Sequence, residues 1–233
     1  MLISVVMPTL NEAANMGARH AEIARQSGPW EWIVVDGGST DQTLALVRSL
    51  GGRIVQSSPN RGLQLDAGAN VARGEILLFL HADTALPAAA FDAIRSAMRA
   101  PDVVGGNFAL RFDENTFVAS LFAWCYATQQ RLFGAFYGDS AIFVRHTVYR
   151  ALGGFGGMPI MEDYAFVRRL QKAGPTVRLA QRVTTSARRY RGRLMRALWI
   201  WFSIMVLYHL GVPPQRLARM YRPHRDRQPA AKL

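Results

Sequence analysis

Carboxylates and small hydrogen-bonding side chains gather at four places in this sequence. They are Pro8-Thr9-Leu10-Asn11-Glu12, Asp36 with Gly37-Gly38 behind it, His81-Ala82-Asp83, and Glu162-Asp163. The first three follow short apolar runs, residues 3–7, 32–35 and 75–80, which read as strands. In an open α/β sheet, ligands bind beyond the carboxyl ends of the strands. The spacing therefore predicts that acidic groups from distant parts of the chain share one rim of a sheet.

Each cluster also has a purely structural reading. Thr9 and Asn11 suit a helix cap as well as a ligand site. Ser39 and Asp41 read as caps, because Ser39 followed by Gln42 is a capping box opening a helix to Leu50. Asp36 resists that reading: it ends a strand, the cap does not need it, and two glycines behind it let a ligand approach the backbone. Asp83 could cap the next helix, but Thr84 and Pro87 already supply start signals. Glu162-Asp163 taken alone is an ordinary helix start favoured by the dipole.

The elements that must position these groups alternate in type. Strands are expected at residues 3–7, 32–35, 54–56, 75–80, 103–112, 140–145 and 176–179. Helices are expected at 11–26, 39–50, 63–72, 87–99, 116–133 and 161–172. Such alternation predicts βαβ units and a mostly parallel sheet. The continuous apolar run at 75–80 predicts a strand covered on both faces.

At 233 residues and 50% hydrophobic content, the chain has material for one α/β domain with a modest extension. The single cysteine, Cys125, excludes an internal disulfide framework and a cysteine-based zinc cluster, and fits a reducing cytoplasm. The start of the chain lacks a basic n-region and reads as a strand instead of a signal peptide. The formal charge of +12 is uneven: sixteen of the 28 Lys and Arg residues lie from Arg168 onward, opposed only by Asp226. Such a block suits nucleic acid, an anionic membrane or a phosphate-bearing ligand. No aromatic-rich RNA motif or recognition-helix pattern accompanies it, so nucleic acid is not the expected partner.

The ordered set of motifs resembles the inverting glycosyltransferases of family two, with the GT-A fold. The matching pieces are Val5-Val6-Met7-Pro8-Thr9-Leu10-Asn11-Glu12, Val34-Val35-Asp36-Gly37-Gly38-Ser39-Thr40-Asp41, Asn60-Arg61-Gly62 with Asp66-Ala67-Gly68, Gly74-Glu75-Ile76 through His81-Ala82-Asp83-Thr84, Leu152-Gly153-Gly154-Phe155, and Met161-Glu162-Asp163. The short length and the His-Ala-Asp-Thr form look most like a small single-domain subgroup found beside radical-SAM proteins in bacteria. The resemblance implies a mixed, mostly parallel sheet flanked by helices, a catalytic domain over 1–190 and a C-terminal extension over 191–233. It also implies roles. Pro8, Thr9, Asn11, Glu12, Asp36 and Gly37 would hold the nucleoside of a nucleotide-diphosphate sugar, with Arg61, Asp66, His81 and Ala82 alongside. Asp83 would bind Mg2+ or Mn2+, hard cations that prefer carboxylate and phosphate oxygens. Asp163, with Glu162 beside it, would be the general base that takes the proton from a hydroxyl acceptor. Asn107, Tyr137 and Asp139 are the residues expected to touch that acceptor.

Two departures from the family pattern stand out. His81 occupies the place where the first Asp of Asp-x-Asp is common. The Gln-x-x-Arg-Trp motif of processive polysaccharide synthases is absent, its nearest match being Ser186-Ala187-Arg188-Arg189-Tyr190. The expectation is therefore addition of one sugar, with Arg188 and Arg189 contacting the diphosphate. The alternatives are a non-catalytic nucleotide-sugar-binding or membrane-associated regulatory protein of the same fold, a basic membrane or nucleic-acid module, and a nucleotidyltransferase. The apolar segment 194–210 leaves three readings open: packing on the catalytic domain, lying in a membrane interface through 194–227 next to a lipid-linked acceptor, or burial in a homodimer.

Overall fold

The computed structural model describes residues 1–113, 117–186 and 194–220. Strands β1 (Ile3–Thr9), β2 (Trp30–Asp36) and β3 (Arg53–Gln56) run parallel, connected by helices α1 (Ala13–Ala24) and α2 (Thr43–Ser49). Helix α3 (Arg61–Val71) leads to β4 (Ile76–Phe79), which pairs with the other side of β1. The short β5 (Thr84–Ala85) and α4 (Ala90–Ala97) precede β6 (Gly105–Phe112), then α5 (Phe117–Phe133) and a 3-10 turn at Gly138–Ser140. Next come β7 (Ile142–Arg145), α6 (His146–Ala151), α7 (Glu162–Ala173) and β8 (Thr176–Thr185), followed by α8 (Leu194–His209) and α9 (Pro214–Met220). The eight strands form one sheet in the order β3-β2-β1-β4-β7-β6-β8-β5. β7 runs against both β4 and β6, so strand direction switches beside β4, where a ligand crevice is expected.

Period-two alternation sends successive side chains of the central strands to opposite faces. Val5, Met7, Val34 and Leu78 join one buried cluster with Met16 and Ile23 of α1, Phe91 of α4, and Ile204 and Leu217 of the last two helices. Val6, Ile33, Val35, Leu77 and Phe79 join the other with Leu65 of α3, Tyr149 of α6, and Phe166 and Leu170 of α7. Both faces of β1, β2 and β4 are thus covered, which is why their sequences are apolar without alternation. Each such side chain contributes about 1.5–3 kcal/mol on burial. The C-terminal helices share the first cluster with the sheet, so part of the apolar segment packs on the domain.

Strand register builds the rim. Thr9 lies opposite Asp36 at the ends of β1 and β2, and Val6 lies opposite Phe79, which brings His81 and Ala82 level with the end of β1. The ends of β1 and β2 are held at a fixed spacing by a buried side chain of α3. Gln64 donates from Nε2 to the carbonyls of Thr9 (3.0 Å) and Val35 (2.9 Å).

Three local expectations are corrected. β8 runs to Thr185, well past the predicted end at residue 179, because its second half pairs with β6 beyond a register shift at Phe108/Ala109 and then with β5. β5 itself is only two residues long and has no period to read. The capping box at Ser39-Gln42 does not form: α2 begins at Thr43, whose N–H and hydroxyl both donate to Asp41. Burial opposes charge on Asp41, but these bonds and one from the Ala13 N–H (3.2 Å) hold its carboxyl below the usual range.

The Gln64 strut gives a direct test. Gln64→Leu keeps the volume and removes two buried hydrogen bonds, leaving the Thr9 carbonyl with the Gly37 N–H (2.9 Å) and the Val35 carbonyl with the Thr9 hydroxyl (3.4 Å), so stability should fall by about 1–3 kcal/mol. Guanidinium unfolding measures it, and an unchanged midpoint would mean that the strut holds nothing.

Candidate active site

The rim loops are tied to one another before any ligand is considered. Asn11 sits at φ 56°, a left-handed conformation that Asn tolerates better than most residues. Its N–H donates to Ser39 Oγ (2.9 Å) and its Oδ1 accepts the Thr40 N–H (2.9 Å), so it clamps the loop after β1 to the loop after β2. Neither the cap reading nor direct ligand contact describes it. Glu12 donates its N–H to Thr43 Oγ1 (2.9 Å), and its side chain accepts from Asn15 (2.7 Å).

Asp36 is 1% exposed. Its Oδ2 accepts the N–H groups of Gly38 and Ser39, both at 2.9 Å, and its Oδ1 accepts the Ser39 hydroxyl. The carboxylate therefore shapes the glycine turn that follows it, a demand the sequence reading did not assign to it. Gly37 lies under this turn, where an added Cβ would meet Gln64 Nε2 at 3.0 Å and Pro59 Cα at 3.3 Å.

Beside these loops lies a cleft whose lining includes Pro8, Thr9, Glu12, Arg61, His81 and Ala82, all six predicted for the site, together with Gln64 and Pro59. Arg61, the first residue of α3, reaches across it to the start of α7. Its Nε donates to Glu162 Oε1, and its NH2 lies 3.3 Å from Asp163 Oδ2. Burial alone would weaken the guanidinium charge; the two carboxylates override that and raise its pKa. Glu162 and Asp163 are buried, so they are not the solvated helix start that their sequence context suggests. They occupy the first turn of α7, where the positive end of the helix dipole favours carboxylates. The preceding Met161 takes φ 66°, a strained conformation for a side chain of its kind. That turn aims both carboxylates back towards α3.

Asp163 also accepts the Gly138 N–H through Oδ2 (2.9 Å) and the Tyr164 N–H through Oδ1 (2.8 Å). Gly138 touches His81 as well: a Cβ there would lie 3.1 Å from His81 Nε2 and 3.3 Å from Asp163 Oδ2. The other ring nitrogen of His81, Nδ1, is 3.2 Å from Asp139 Oδ1. His81, Asp139, Asp163, Glu162 and Arg61 thus form one contiguous polar cluster at the cleft.

Several predicted residues stand elsewhere. Asp66 accepts the Tyr149 hydroxyl and the N–H groups of Phe155 (2.8 Å) and Gly156 (2.9 Å), so it pins the glycine-rich turn and does not lie along a nucleotide. Burial, and then this carboxylate, push the Tyr149 phenol upward. Asn107 is fully buried, bonded to Ser140 (3.0 Å) and Gln130 (2.6 Å), and cannot meet an acceptor. Tyr137 is buried too, stacked on Tyr164 at 5.9 Å between ring centroids and edge-on to Trp201 at 5.6 Å. Of the three proposed acceptor contacts only Asp139 stands at the cleft. Asp83 directly follows the lining residue Ala82, and its charge acts on Arg19 of α1. Arg188 and Arg189 lie outside the described residues. Sequence reasoning missed Gln64 and Gly138. The first was legible as a polar residue on the buried stripe of α3; the second had no local signal.

Among the described residues no three His, Cys, Asp or Glu side chains converge into a metal cage. A hard cation such as Mg2+ takes oxygen ligands from carboxylates, phosphate and water. The carboxylates near His81 and Ala82 supply the oxygen donors such a cation accepts.

A mostly parallel sheet with a polar cleft at its strand ends, superposing on the solved structures named below, is an α/β protein of the GT-A type. The chain belongs to Glycosyl transferase family 2, whose profile matches residues 4–151. Curated relatives from Mycobacterium bovis and Mycobacterium tuberculosis, each a "PGL/p-HBAD biosynthesis glycosyltransferase", are 32% identical over 163 residues. That match covers 65% of this chain and 58% of theirs. Among solved structures, a mannosyltransferase from Pyrobaculum calidifontis in complex with GDP-Man and Mn2+ superposes with a TM-score of 0.66 at 20% identity, covering 94% of this chain and 68% of that one. S. aureus TarS gives a TM-score of 0.63 at 18% identity, covering 80% and 37%.

The contact between α3 and the glycine-rich turn can be tested through Gly62. A Cβ there would meet the Gly156 carbonyl oxygen at 2.1 Å. Helix propensity alone would make Gly62→Ala stabilising by about 0.5–1 kcal/mol, while the clash should cost about 1–3 kcal/mol. Net destabilisation in thermal unfolding is expected, and a stabilised variant would show that the turn moves aside freely.

Proposed function

We propose that this chain transfers a single sugar from a nucleotide-diphosphate sugar to a hydroxyl acceptor, inverting the anomeric centre, with help from Mg2+ or Mn2+. The observation that carries the reading is the buried Asp163 carboxylate, held by Arg61, Gly138 and Tyr164 at the edge of a cleft lined by strand ends. The family membership supports it, as do solved neighbours crystallised with GDP-Man and Mn2+, UDP or UDP-GlcNAc.

The nucleoside lies across the ends of β1 and β2, where Thr9, Glu12 and the Asp36 turn present acceptors and backbone groups to a base and ribose. Arg61 faces the diphosphate with a charge that stays in place at any working pH, and Arg188 and Arg189 are, on their chemistry and sequence position alone, further candidates to bind it. Asp83, with Asp139 and His81 as further candidates, would hold the cation, whose chemistry there would be to neutralise charge on the departing diphosphate. The acceptor oxygen attacks the anomeric carbon from the face opposite the diphosphate while Asp163 takes its proton. The new C–O bond forms as the bond to the phosphate oxygen breaks, so one displacement inverts the centre. Glu162 keeps Arg61 oriented and does not touch the acceptor.

His81 was the one hint of a protein that had kept the fold and lost the chemistry. Its pairing with Asp139 keeps a carboxylate at that place, which favours the catalytic reading. The missing Gln-x-x-Arg-Trp motif supports transfer of one sugar and not polymer synthesis. The His-Ala-Asp-Thr form supports the small subgroup found beside radical-SAM proteins.

Thermal shift with a panel of nucleoside diphosphates tests donor binding, since a ligand at a hundred times its Kd adds about 2.7 kcal/mol to stability. Stabilisation should need Mg2+ or Mn2+, vanish with EDTA, and be lost in Asp83→Ala. Asp163→Asn should keep the shift and lose at least ~100-fold in transfer rate. Undiminished transfer by Asp163→Asn would sink the base assignment, and metal-independent binding would sink the role given to Asp83.

A further inference from the structure

Helix α8 has two apolar stripes and the domain covers only one. On the covered side, Ile204 and Met205 are buried, Trp201 packs edge-on to Tyr137, and Tyr208 lies edge-on to Tyr164. His209 Nε2 sits 2.9 Å from the Tyr164 hydroxyl. On the other side Trp199 (73% exposed), Phe202 (61%), Val206 (42%) and Leu210 (74%) stand at steps of three and four residues, which places them in one row. Trp124 of the neighbouring α5 adds another large ring at 64% exposure. Large apolar side chains collected on one face mark an interaction surface.

Charge decides what kind of partner fits. No Asp or Glu occurs in residues 117–138 or 187–225, which include all of α5, α8 and α9, although Asp113 and Glu114 precede α5. Over residues 187–233 ten arginines and one lysine face a single acid, Asp226. Arg216 and Arg219 of α9 are exposed where α9 packs against α8. A second copy would bring the same cationic flanks against its own, whereas an anionic lipid surface complements them, each cation near it adding about 1 kcal/mol. Tryptophans in an apolar row suit the headgroup boundary. No described helix is long and apolar enough to cross a membrane.

We propose that the row Trp199, Phe202, Val206 and Leu210, with Trp124 beside it, seats this protein on an anionic bilayer surface, with α8 lying in the plane of the interface. Leu210 precedes Gly211, whose φ of 81° ends the helix, and the Val212 N–H closes it on the Leu207 carbonyl (3.0 Å). This sharp stop returns α9 against α8, with Leu217 buried in the first core cluster and Arg216 and Arg219 exposed. The covered side of α8 touches Tyr164 and Tyr137, the chain neighbours of Asp163 and Gly138, so the proposed base lies one helix away from that surface. A lipid-borne acceptor hydroxyl would meet the base there, a consequence that rests on the transfer reading.

The test is co-sedimentation of the full chain with vesicles of phosphatidylcholine alone or with 30 mol% phosphatidylglycerol, a composition in the range of ~30 mV surface potentials. Binding is expected only with the anionic lipid and should weaken as salt rises. The triple variant Trp199→Ser, Phe202→Ser, Leu210→Ser should bind at least ~10-fold more weakly, because each loses buried apolar area on lipid. Arg216→Glu with Arg219→Glu should lose the preference for phosphatidylglycerol. Both variants should keep the wild-type melting temperature and nucleoside-diphosphate shift, which separates this proposal from the transfer reading. Wild-type protein that ignores anionic vesicles, or a triple variant that binds them equally, overturns it. So does a wild-type dimer in sedimentation velocity that the triple variant dissolves, which would give the row to a second copy.

Discussion

Where α3 meets α7, two buried carboxylates share one partly exposed guanidinium. A buried carboxylate without a partner costs several kcal/mol, and removing one member of a buried pair leaves the others exposed to that penalty. Arg61 therefore fixes the distance between α3 and α7, since only there can Glu162 and Asp163 both reach it. Much of the surrounding sequence follows from this demand. Gly62 must lack a side chain so that α3 can approach Gly156. Asp66, one turn further on, ties down Phe155 and Gly156 so that the glycine-rich turn delivers α7 in the right place. Met161 accepts a left-handed backbone to begin the helix there. Asn-Arg-Gly and Met-Glu-Asp, a hundred residues apart in the chain, are two halves of one contact.

Elements whose identity depends on local pattern were legible in the sequence. β1, β2 and β4 are apolar throughout because two layers of helices cover them, and their carboxyl ends carry the polar clusters as the sheet rule requires. What the sequence hid is what depends on distant partners. Ser39 has the spacing of a capping box, but Asn11 and Asp36 compete for its hydroxyl and win, so α2 starts four residues later at Thr43. Asn107 and Asp139 look equally polar in sequence; only pairing in the sheet shows that the first lies fully inside β6 while the second stands at the cleft. Tyr137 seemed an acceptor contact because α8, which covers it, arrives from the far end of the chain.

The same limit explains the apolar tail. Hydrophobicity on nearly all sides of residues 194–210 gives no face to assign, so packing, lipid and dimer were equal in kind. The structure divides the helix. Trp201, Ile204, Met205 and Tyr208 belong to the domain's first hydrophobic cluster or pack against it, and Tyr137 and Tyr164 are held in place by ring contacts with this helix and by the hydrogen bond between Tyr164 and His209. Trp199, Phe202 and Leu210 belong to nothing described in the domain. A helix with both properties is part of the core on one side and part of the surface chemistry on the other.

The count of hydrogen bonds at Asp163 bears on what it can do. An ionised carboxylate offers about four lone-pair positions. Among the described residues three are taken: Oδ2 accepts from Gly138 and Arg61, and Oδ1 accepts from Tyr164. Two of these donors are backbone N–H groups, which cannot swing away, so the carboxylate plane is fixed by the main chain and not by a rotatable partner. One lone pair is left over, on the oxygen bonded to Tyr164. On the transfer reading proposed above, a carboxylate whose plane is fixed by the main chain beside a cleft suits the proton-accepting role given to Asp163, because its orientation does not depend on a side chain that could swing away.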